Sequence, residues 1–345
     1  MELSSERGRG RPDIPIFLLA LRRAFVRPMA WVFSSVGVCA LALALTLPVY
    51  SWVSGAVSTN YAPASQAFNM DAAFRTDHGQ GLSQLYGSLA TTAGWLALVA
   101  VLFGVFTAGG WLGTLLDSSR TSVTRRYFHG GVRYFWRFAR LALLFLILAD
   151  LAGRLFLGDV WRELVLEGWM GWTDGNTELA TSELTVRRLI WLQDGCYALT
   201  IAGLWTWATY ARVRIALQSQ SSVVFGSLRA LGTLLRHPLQ TLRPMALLFV
   251  VDFGFLLGCG AIAGPLLQEG LRDSASLWRV LALLALTVTT IVVRQIFDGA
   301  RYAAALAVSE RVVRPMRADP WKERIGGPGG PQYPISDEDE FSVSM

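Results

Sequence analysis

Five ionisable residues lie within long apolar stretches of the sequence. Charged side chains are rare in such stretches, so these five are the first candidates for chemistry. They are Asp150, Arg154, Asp194, Asp252 and Arg294. A charged group inside a membrane is costly, so each is by default a candidate functional residue. The helical rise of about 1.5 Å per residue places Asp252 and Arg294 at similar depth, and Arg154 near Asp150 and Asp194. We therefore predict an Asp252–Arg294 ion pair and a pair of Arg154 with Asp194 or Asp150.

These charges have two interpretations. Paired charges can fix the register of helices in a medium without water, which is a structural role. Alternatively, Asp252, Arg294 and Arg154 line a water-accessible cavity for a proton or an anionic substrate. The charges nearly balance, and no chain of acidic residues crosses the bilayer, which favours the structural interpretation.

Other residue types that support catalysis are scarce. No His-Glu-x-x-His motif occurs, no apolar stretch contains a histidine, and the only lysine, Lys322, is not part of a Gly-Lys-Ser/Thr loop. The cysteines lie singly in three different apolar stretches, so neither a disulfide nor a metal site is expected. The histidines of the chain are His78, His129 and His237, and the cysteines are Cys39, Cys196 and Cys259. We predict no catalytic, cofactor-binding or metal site, no cofactor, and no enzymatic activity.

Two weaker clusters could support a membrane enzyme. Asp77-His78 lies near Ser83, and Glu163 is followed four residues later by Glu167. Such groups can carry hydrolytic or acid–base chemistry only if the fold fixes their geometry. A solvated loop or helix face is the simpler interpretation of both.

The elements that must position these residues are apolar helices. The chain has 345 residues, of which 53% are hydrophobic and 16% charged, whereas an ordinary soluble domain has about 25% charged residues. This composition argues against a soluble enzyme, a disordered chain and a disulfide scaffold. Stretches of about 20 apolar residues can cross a bilayer as helices. Six occur, at about 31–52, 88–112, 138–157, 189–210, 245–267 and 277–297. The predicted fold class is an all-α polytopic membrane protein with six transmembrane helices.

The distribution of basic residues predicts the orientation. With the N-terminus inside, the inner segments contain 22 of the 31 lysines and arginines, and the outer segments contain 4. The inner segments are 1–28, 116–138, 212–243 and 299–345, and the outer ones are 54–84, 158–187 and 264–278. Basic residues accumulate on the cytoplasmic side of membrane proteins. We expect a multi-pass protein of the bacterial cytoplasmic membrane with both termini in the cytoplasm.

Amphipathic helices are predicted at about 14–27, 120–137 and 222–236, each before an odd-numbered apolar stretch. Such helices typically lie in the membrane interface. One stripe of the second helix is basic: Arg126, Arg133, Arg137 and Arg140. Its opposite face is aromatic: Tyr127, Phe128, Tyr134, Phe135 and Phe138. Gly130-Gly131 could break or bend this helix. The recurrence suggests three parallel repeats, each an interfacial helix followed by a helical hairpin.

The remaining features concern the chain ends and helix packing. Residues 1–13 and 315–345 are polar, glycine-rich or acidic, and are predicted to be disordered on either side of a membrane domain at 14–314. Pairs of glycines four residues apart allow close helix packing. They occur at Gly109/Gly113, Gly254/Gly258 and Gly260/Gly264. We expect them to pack helices within this chain rather than to form an oligomer interface, although the glycine-rich stretch at 245–267 could also accommodate a substrate.

Three segments carry a resemblance to a known group of proteins. They are Arg-Tyr-Phe-x-Arg-Phe-x-Arg at 133–140, Ala-Arg-Val-Arg-Ile at 211–215 and Arg-His-Pro at 236–238. Together they resemble a broad group of six-span bacterial membrane proteins, which is similar to the membrane domain attached to some glycerophosphodiester phosphodiesterases. The resemblance covers most of 14–310 and implies the six-helix architecture. It does not imply phosphodiesterase activity, because the chain has no soluble catalytic domain.

The functional prediction is a non-enzymatic integral membrane protein. It would be an accessory or scaffold subunit of a membrane complex, or a factor that handles envelope lipids. The alternative is a transporter of a small molecule or lipid, with a polar cavity near Asp252 and Arg294. Expected partners are the lipid bilayer and either a second membrane protein or another copy of the chain. Nucleic acid is not an expected partner.

Overall fold

The structure, a computed structural model, describes residues 16–59, 79–116, 122–169, 183–218, 222–265 and 277–312. Within these ranges the chain is almost entirely helical and has no strand. The helices are α1 (Ile16–Phe25), α2 (Pro28–Thr59), α3 (Gly79–Leu116), α4 (Val123–Leu157), α5 (Asp159–Trp169), α6 (Glu183–Gln218), α7 (Val223–Arg236), α8 (Pro238–Leu257) and α9 (Leu277–Val312). A π-helical turn, Gly258–Ala263, continues α8. The predicted disordered ends, 1–13 and 315–345, and the Asp77-His78 pair lie outside the described residues.

Several of these helices can cross a membrane. In the described chain, α2, α3, α8 and α9 are long and apolar enough to do so, and α4 with α5 makes a fifth span if the two are counted together across their 45° bend. Helix α6 has 36 residues, but Gln193 and Asp194 interrupt its apolar stretch. The described chain is therefore all-α and multi-pass in the membrane, with four or five candidate spans, and the count of six crossings stays a prediction.

Proline determines which of the predicted amphipathic helices are separate elements. Pro28 begins α2 directly after α1, and Pro238 begins α8 directly after α7. Proline is tolerated in a first helical turn, but it disfavours helical geometry in the residue before it. The predicted helix at 120–137 has no such proline and continues into the next apolar stretch as the 35-residue α4. The prediction of a separate interfacial helix there is wrong.

Glycines bring α3 and α4 into backbone contact. A Cβ atom on Gly109 would lie 2.7 Å from the carbonyl oxygen of Gly130, and one on Gly130 would lie 2.6 Å from the carbonyl oxygen of Gly109. A Cβ atom on Gly113 would lie 2.8 Å from the Cα atom of Gly130. The predicted packing role of Gly109/Gly113 is confirmed. Gly130-Gly131 does not break α4, because both residues serve this contact inside a continuous helix.

The glycines of α8 have no such contact. A Cβ atom added to Gly254, Gly258 or Gly260 would meet no atom of the described chain within 4 Å outside its own helix backbone. An added Cβ atom on Gly264 would meet only the Cys259 carbonyl oxygen, at 3.3 Å. The expected packing of these glycines against another helix of this chain is therefore wrong for the part that the structure describes.

The protein core lies at one end of the bundle. Most buried apolar side chains belong to one cluster contributed by 105–112 of α3, 127–142 of α4, 210–216 of α6 and 297–308 of α9, together with α1 and parts of α2, α7 and α8. We call this end the closed end. Towards the opposite, open end, many apolar side chains are exposed, such as Leu43, Trp95 and Leu199. In a membrane, lipid can cover these exposed side chains. Most of the side-chain packing within the chain is therefore found at the closed end.

Candidate ligand-binding cleft and intramembrane charges

A buried arginine joins two carboxylates near the closed end. The guanidinium of Arg301 donates one hydrogen bond to Asp252 on α8 and a second, 2.5 Å long, to Asp298 on its own helix. Arg301 and Asp252 are only 4% and 5% exposed. The guanidinium carbon also lies 4.5 Å from the ring centroid of Phe249, within cation–π range. The three charged groups thus tie α8 to α9.

The predicted Asp252–Arg294 pair is wrong. Asp252 pairs with Arg301, which lies seven residues further along α9, and Arg294 is exposed. The apolar stretch in the sequence ends at Phe297, which places Arg301 in a predicted inner loop. Helix α9 instead continues to Val312, because small side chains such as Ala300 and Ala304 pack in the core beyond the apolar stretch.

Of the two partners predicted for Arg154, Asp150 and Asp194, the structure pairs it with Asp150. The Arg154 Nε atom lies 3.0 Å from an Asp150 carboxylate oxygen, one turn away on α4. Both side chains are mostly exposed. Asp194, the alternative partner, is exposed on α6 and has no ion-pair partner within 4 Å among the described residues. The Arg154–Asp150 pair is confirmed and lies on the outside of the bundle.

The predicted basic face of 120–137 is only partly a surface. Arg133 and Arg140 are exposed, whereas Arg126 and Arg137 are half-buried. On the opposite side, Tyr127, Tyr134 and Phe138 are buried in the protein core. The Tyr127 hydroxyl lies 2.9 Å from that of Ser34 on α2, and either can donate the hydrogen bond. Much of the aromatic face therefore packs helices instead of entering the membrane interface.

A cleft of about 810 Å³ lies between α2, α3, α4, α6 and α9. Most of its wall is apolar, and small residues such as Ala97, Ala100 and Gly104 leave the space open. The lining has a separate polar region, which we call the floor: Trp111, Thr209, Arg212, Gln295, Asp298, Arg301 and Tyr302. Neither Asp252, Arg294 nor Arg154 lines it. The cavity predicted around those three residues is therefore not the cleft found here.

The floor contains several hydrogen-bond donors without acceptors. Arg212 donates from Nη1 to the Tyr302 hydroxyl, at 2.7 Å, but its Nε–H has no acceptor within the described chain. The same holds for the buried Nε–H groups of Trp111 (at Nε1) and Arg301. Arg212 also has no carboxylate within 4 Å among the residues described. The floor is suited to a group that accepts hydrogen bonds.

The sequence pattern does not predict the floor, because Arg212 and Arg301 lie beyond the ends of the apolar stretches and therefore fall in predicted inner loops. Nothing in the hydropathy profile separates these two arginines from those of the inner loops. They lie inside the bundle because α6 and α9 continue past the apolar stretches. One available signal was the spacing of Asp298, Arg301 and Tyr302, which places them on adjoining turns of one helix.

The lining can hold an apolar molecule and bind an acceptor at one end. Its residues include no histidine, cysteine, lysine or glutamate. Across the described part of the chain, no group of three or more His, Cys, Asp or Glu residues is arranged to bind a metal. Comparisons with protein-family models, curated proteins and solved structures find no match to this chain, so the resemblance to the six-span membrane proteins stays a prediction.

Proposed function

We propose that this chain is a non-enzymatic membrane protein that handles envelope lipids by holding an apolar chain in the cleft. The observation that carries the proposal is the cleft itself, with its apolar wall of side chains from five helices. Its volume of about 810 Å³ is within the usual range of ligand pockets, about 300–1,000 Å³. Lipid is the apolar ligand that surrounds a membrane protein at the highest concentration.

The intramembrane charges give less support to the alternative, a transporter with a polar cavity near Asp252 and Arg294. Asp252 is buried against Arg301, and Arg154 pairs with Asp150 on the outside of the bundle. A buried pair of this kind tends to fix how helices pack. These contacts support a structural role for Asp252 and Arg154, and they leave the cleft as the better candidate site.

The proposed arrangement in the membrane has six spans, with α6 as a crossing and both termini in the cytoplasm. The closed end would then lie towards the cytoplasm, and the three units α1–α3, α4–α6 and α7–α9 would be parallel repeats. The excess of basic residues in segments adjoining the closed end supports this orientation. The Pro-initiated α2 and α8 support similarity between the first and third units.

Cysteine labelling tests this topology. In a variant without Cys39, Cys196 and Cys259, we introduce Gln80→Cys at the open end or Arg125→Cys at the closed end, both at exposed positions. A membrane-impermeant maleimide added to intact spheroplasts should label Gln80→Cys and should label Arg125→Cys only after permeabilisation. The reverse pattern, or labelling of both without permeabilisation, would contradict the proposed orientation.

Filling the cleft tests the lipid-handling proposal. Gly104 lines the cleft, and an added Cβ atom there meets no atom of the described chain within 4 Å outside the helix's own backbone. Gly104→Phe should therefore fold and occupy the space of the ligand. Purified from native membranes in mild detergent, the variant should retain about tenfold less specifically bound lipid than the parent protein, which corresponds to about 1.4 kcal/mol. Extraction followed by mass spectrometry measures the bound lipid.

Gly94→Phe is the matched control. Gly94 lies on the same helix, its added Cβ atom also meets no other atom within 4 Å, and it does not line the cleft. This variant should retain as much lipid as the parent protein. Equal lipid retention by all three proteins would overturn the proposal. A stoichiometric partner protein in each preparation, with no cleft-dependent lipid, would instead favour the scaffold function.

A further inference from the structure

We propose that the lipid in the cleft is anionic and that a compact oxyanion head group, such as a phosphate, binds to the floor at Arg212 and Trp111. This inference rests on the proposed lipid-handling function and names the chemical class of the ligand. The floor residues and the apolar wall line the same cleft. One molecule with a charged head and an apolar chain can therefore contact both.

Among the described residues, Arg212 has no carboxylate in direct contact. Asp252 and Asp298 both bind the guanidinium of Arg301. Arg294, four residues before Asp298 on α9, is exposed and has no carboxylate within 4 Å in the described chain. The hydrogen bond that the described chain gives Arg212 runs from Nη1 to the neutral hydroxyl of Tyr302. A half-buried guanidinium without a counter-ion is costly in a medium of low dielectric constant, and an anionic ligand would offset that cost.

Unpartnered donors point to the same chemistry. Trp111 is 1% exposed and Arg301 is 4% exposed, yet the indole N–H and the Arg301 Nε–H have no acceptor in the described chain. Buried donors are normally paired, and an oxyanion offers several acceptor positions to a guanidinium and neighbouring N–H groups. Three unpartnered donors, counting Arg212 Nε, belong to residues of one lining, and they favour an oxyanion over a neutral or cationic head group.

The packing beside the floor limits the size of the head group. The Trp111 ring lies so close to Gly299 that a Cβ atom there would fall 2.4 Å from it. Helices α3 and α9 are therefore in close contact next to the polar region. A compact head group fits this geometry better than one that carries a large polar substituent.

Binding of matched probes tests the inference. The full-length protein in detergent is titrated with oleyl phosphate, oleyl alcohol and oleyltrimethylammonium, which share one hydrocarbon chain. The parent protein should bind the phosphate at least about tenfold more tightly than the other two, as expected for charge-assisted hydrogen bonds. Arg212→Leu should reduce that preference to about twofold or less without weakening binding of the alcohol, and Arg212→Lys should keep part of it. Arg140→Leu, at an exposed arginine on α4, should leave the preference unchanged.

The outcomes separate this inference from the function on which it rests. If all three probes bind equally and Gly104→Phe abolishes their binding, the cleft holds lipid and the anionic head group is wrong. If no probe binds in a manner sensitive to Gly104→Phe, the lipid-handling function fails as well. Inorganic phosphate should not displace oleyl phosphate at comparable concentration. Effective displacement would identify a site for free anions and would overturn the lipid inference.

Discussion

Arg301→Met is expected to lower the free energy of unfolding by about 3–5 kcal/mol, the usual cost of breaking a buried ion pair by removing one partner. Arg301 is 4% exposed and binds both Asp252 and Asp298. Its removal leaves two carboxylates near each other without their shared cation. Asp252→Asn should cost less, because Arg301 then keeps Asp298 as its partner. Thermal unfolding in one detergent, followed by circular dichroism, measures the difference between the variants.

Glu183→Ala is the control for this comparison. Its carboxylate lies 3.5 Å from Arg187, and both side chains are largely exposed. Exposed pairs of this kind contribute little, so stability should change by no more than about 0.5–1 kcal/mol. An Arg301→Met protein as stable as the control would show that the buried charges do not hold α8 and α9 together.

Gly113→Leu is expected to destabilise the protein by about 3 kcal/mol or more, at or above the upper part of the range for overpacked cores. A Cβ atom on Gly113 would lie 2.7 Å from the Arg126 carbonyl oxygen and 2.8 Å from the Gly130 Cα atom. Both obstacles are backbone atoms, so no side-chain rotation can relieve the clash. Helices α3 and α4 must move apart, and the unfolding midpoint in detergent should fall accordingly.

Gly94→Leu places the same side chain on the same helix without the obstacle. An added Cβ atom at Gly94 meets no atom of the described chain within 4 Å outside its own helix backbone. Leucine also favours a helix over glycine by up to about 1 kcal/mol. This variant should match or exceed the parent protein in stability. If Gly113→Leu behaves in the same way, the glycine contact between α3 and α4 does not support the fold.

The sequence is sufficient to place most helices, because apolar stretches and prolines act locally. All six predicted apolar stretches fall largely within helices. Pro28 and Pro238 are the first residues of two of these helices, α2 and α8. Hydropathy is a poor guide to where a helix ends inside a bundle, however. Alanines beyond Phe297 are not strongly apolar, yet they pack closely and extend α9 to Val312.

The candidate site could not be predicted in the same way. The cleft depends on how five helices are spaced, and its small lining residues, such as Ala97 and Gly104, resemble those of any membrane helix. Arg212 was counted among loop arginines because its apolar stretch ends nearby. The Asp150–Arg154 pair was predictable because it depends only on helical spacing. Contacts between helices, such as that of Asp252 with Arg301, also depend on tilt and rotation.

Because the core lies at the closed end, the residues that determine stability and those that line the apolar wall of the cleft lie at different positions along the same helices. On the proposed function, substitutions in the apolar wall of the cleft, away from the core, would change which ligand fits while the main packing contacts stay intact. Substitutions of Trp111 or Tyr302 at the floor would alter folding and binding together, because these two residues belong to both the core and the cleft lining. On the proposed function, a different chain-length preference would therefore cost little stability, whereas a change of the floor at Trp111 or Tyr302 would also disturb the core.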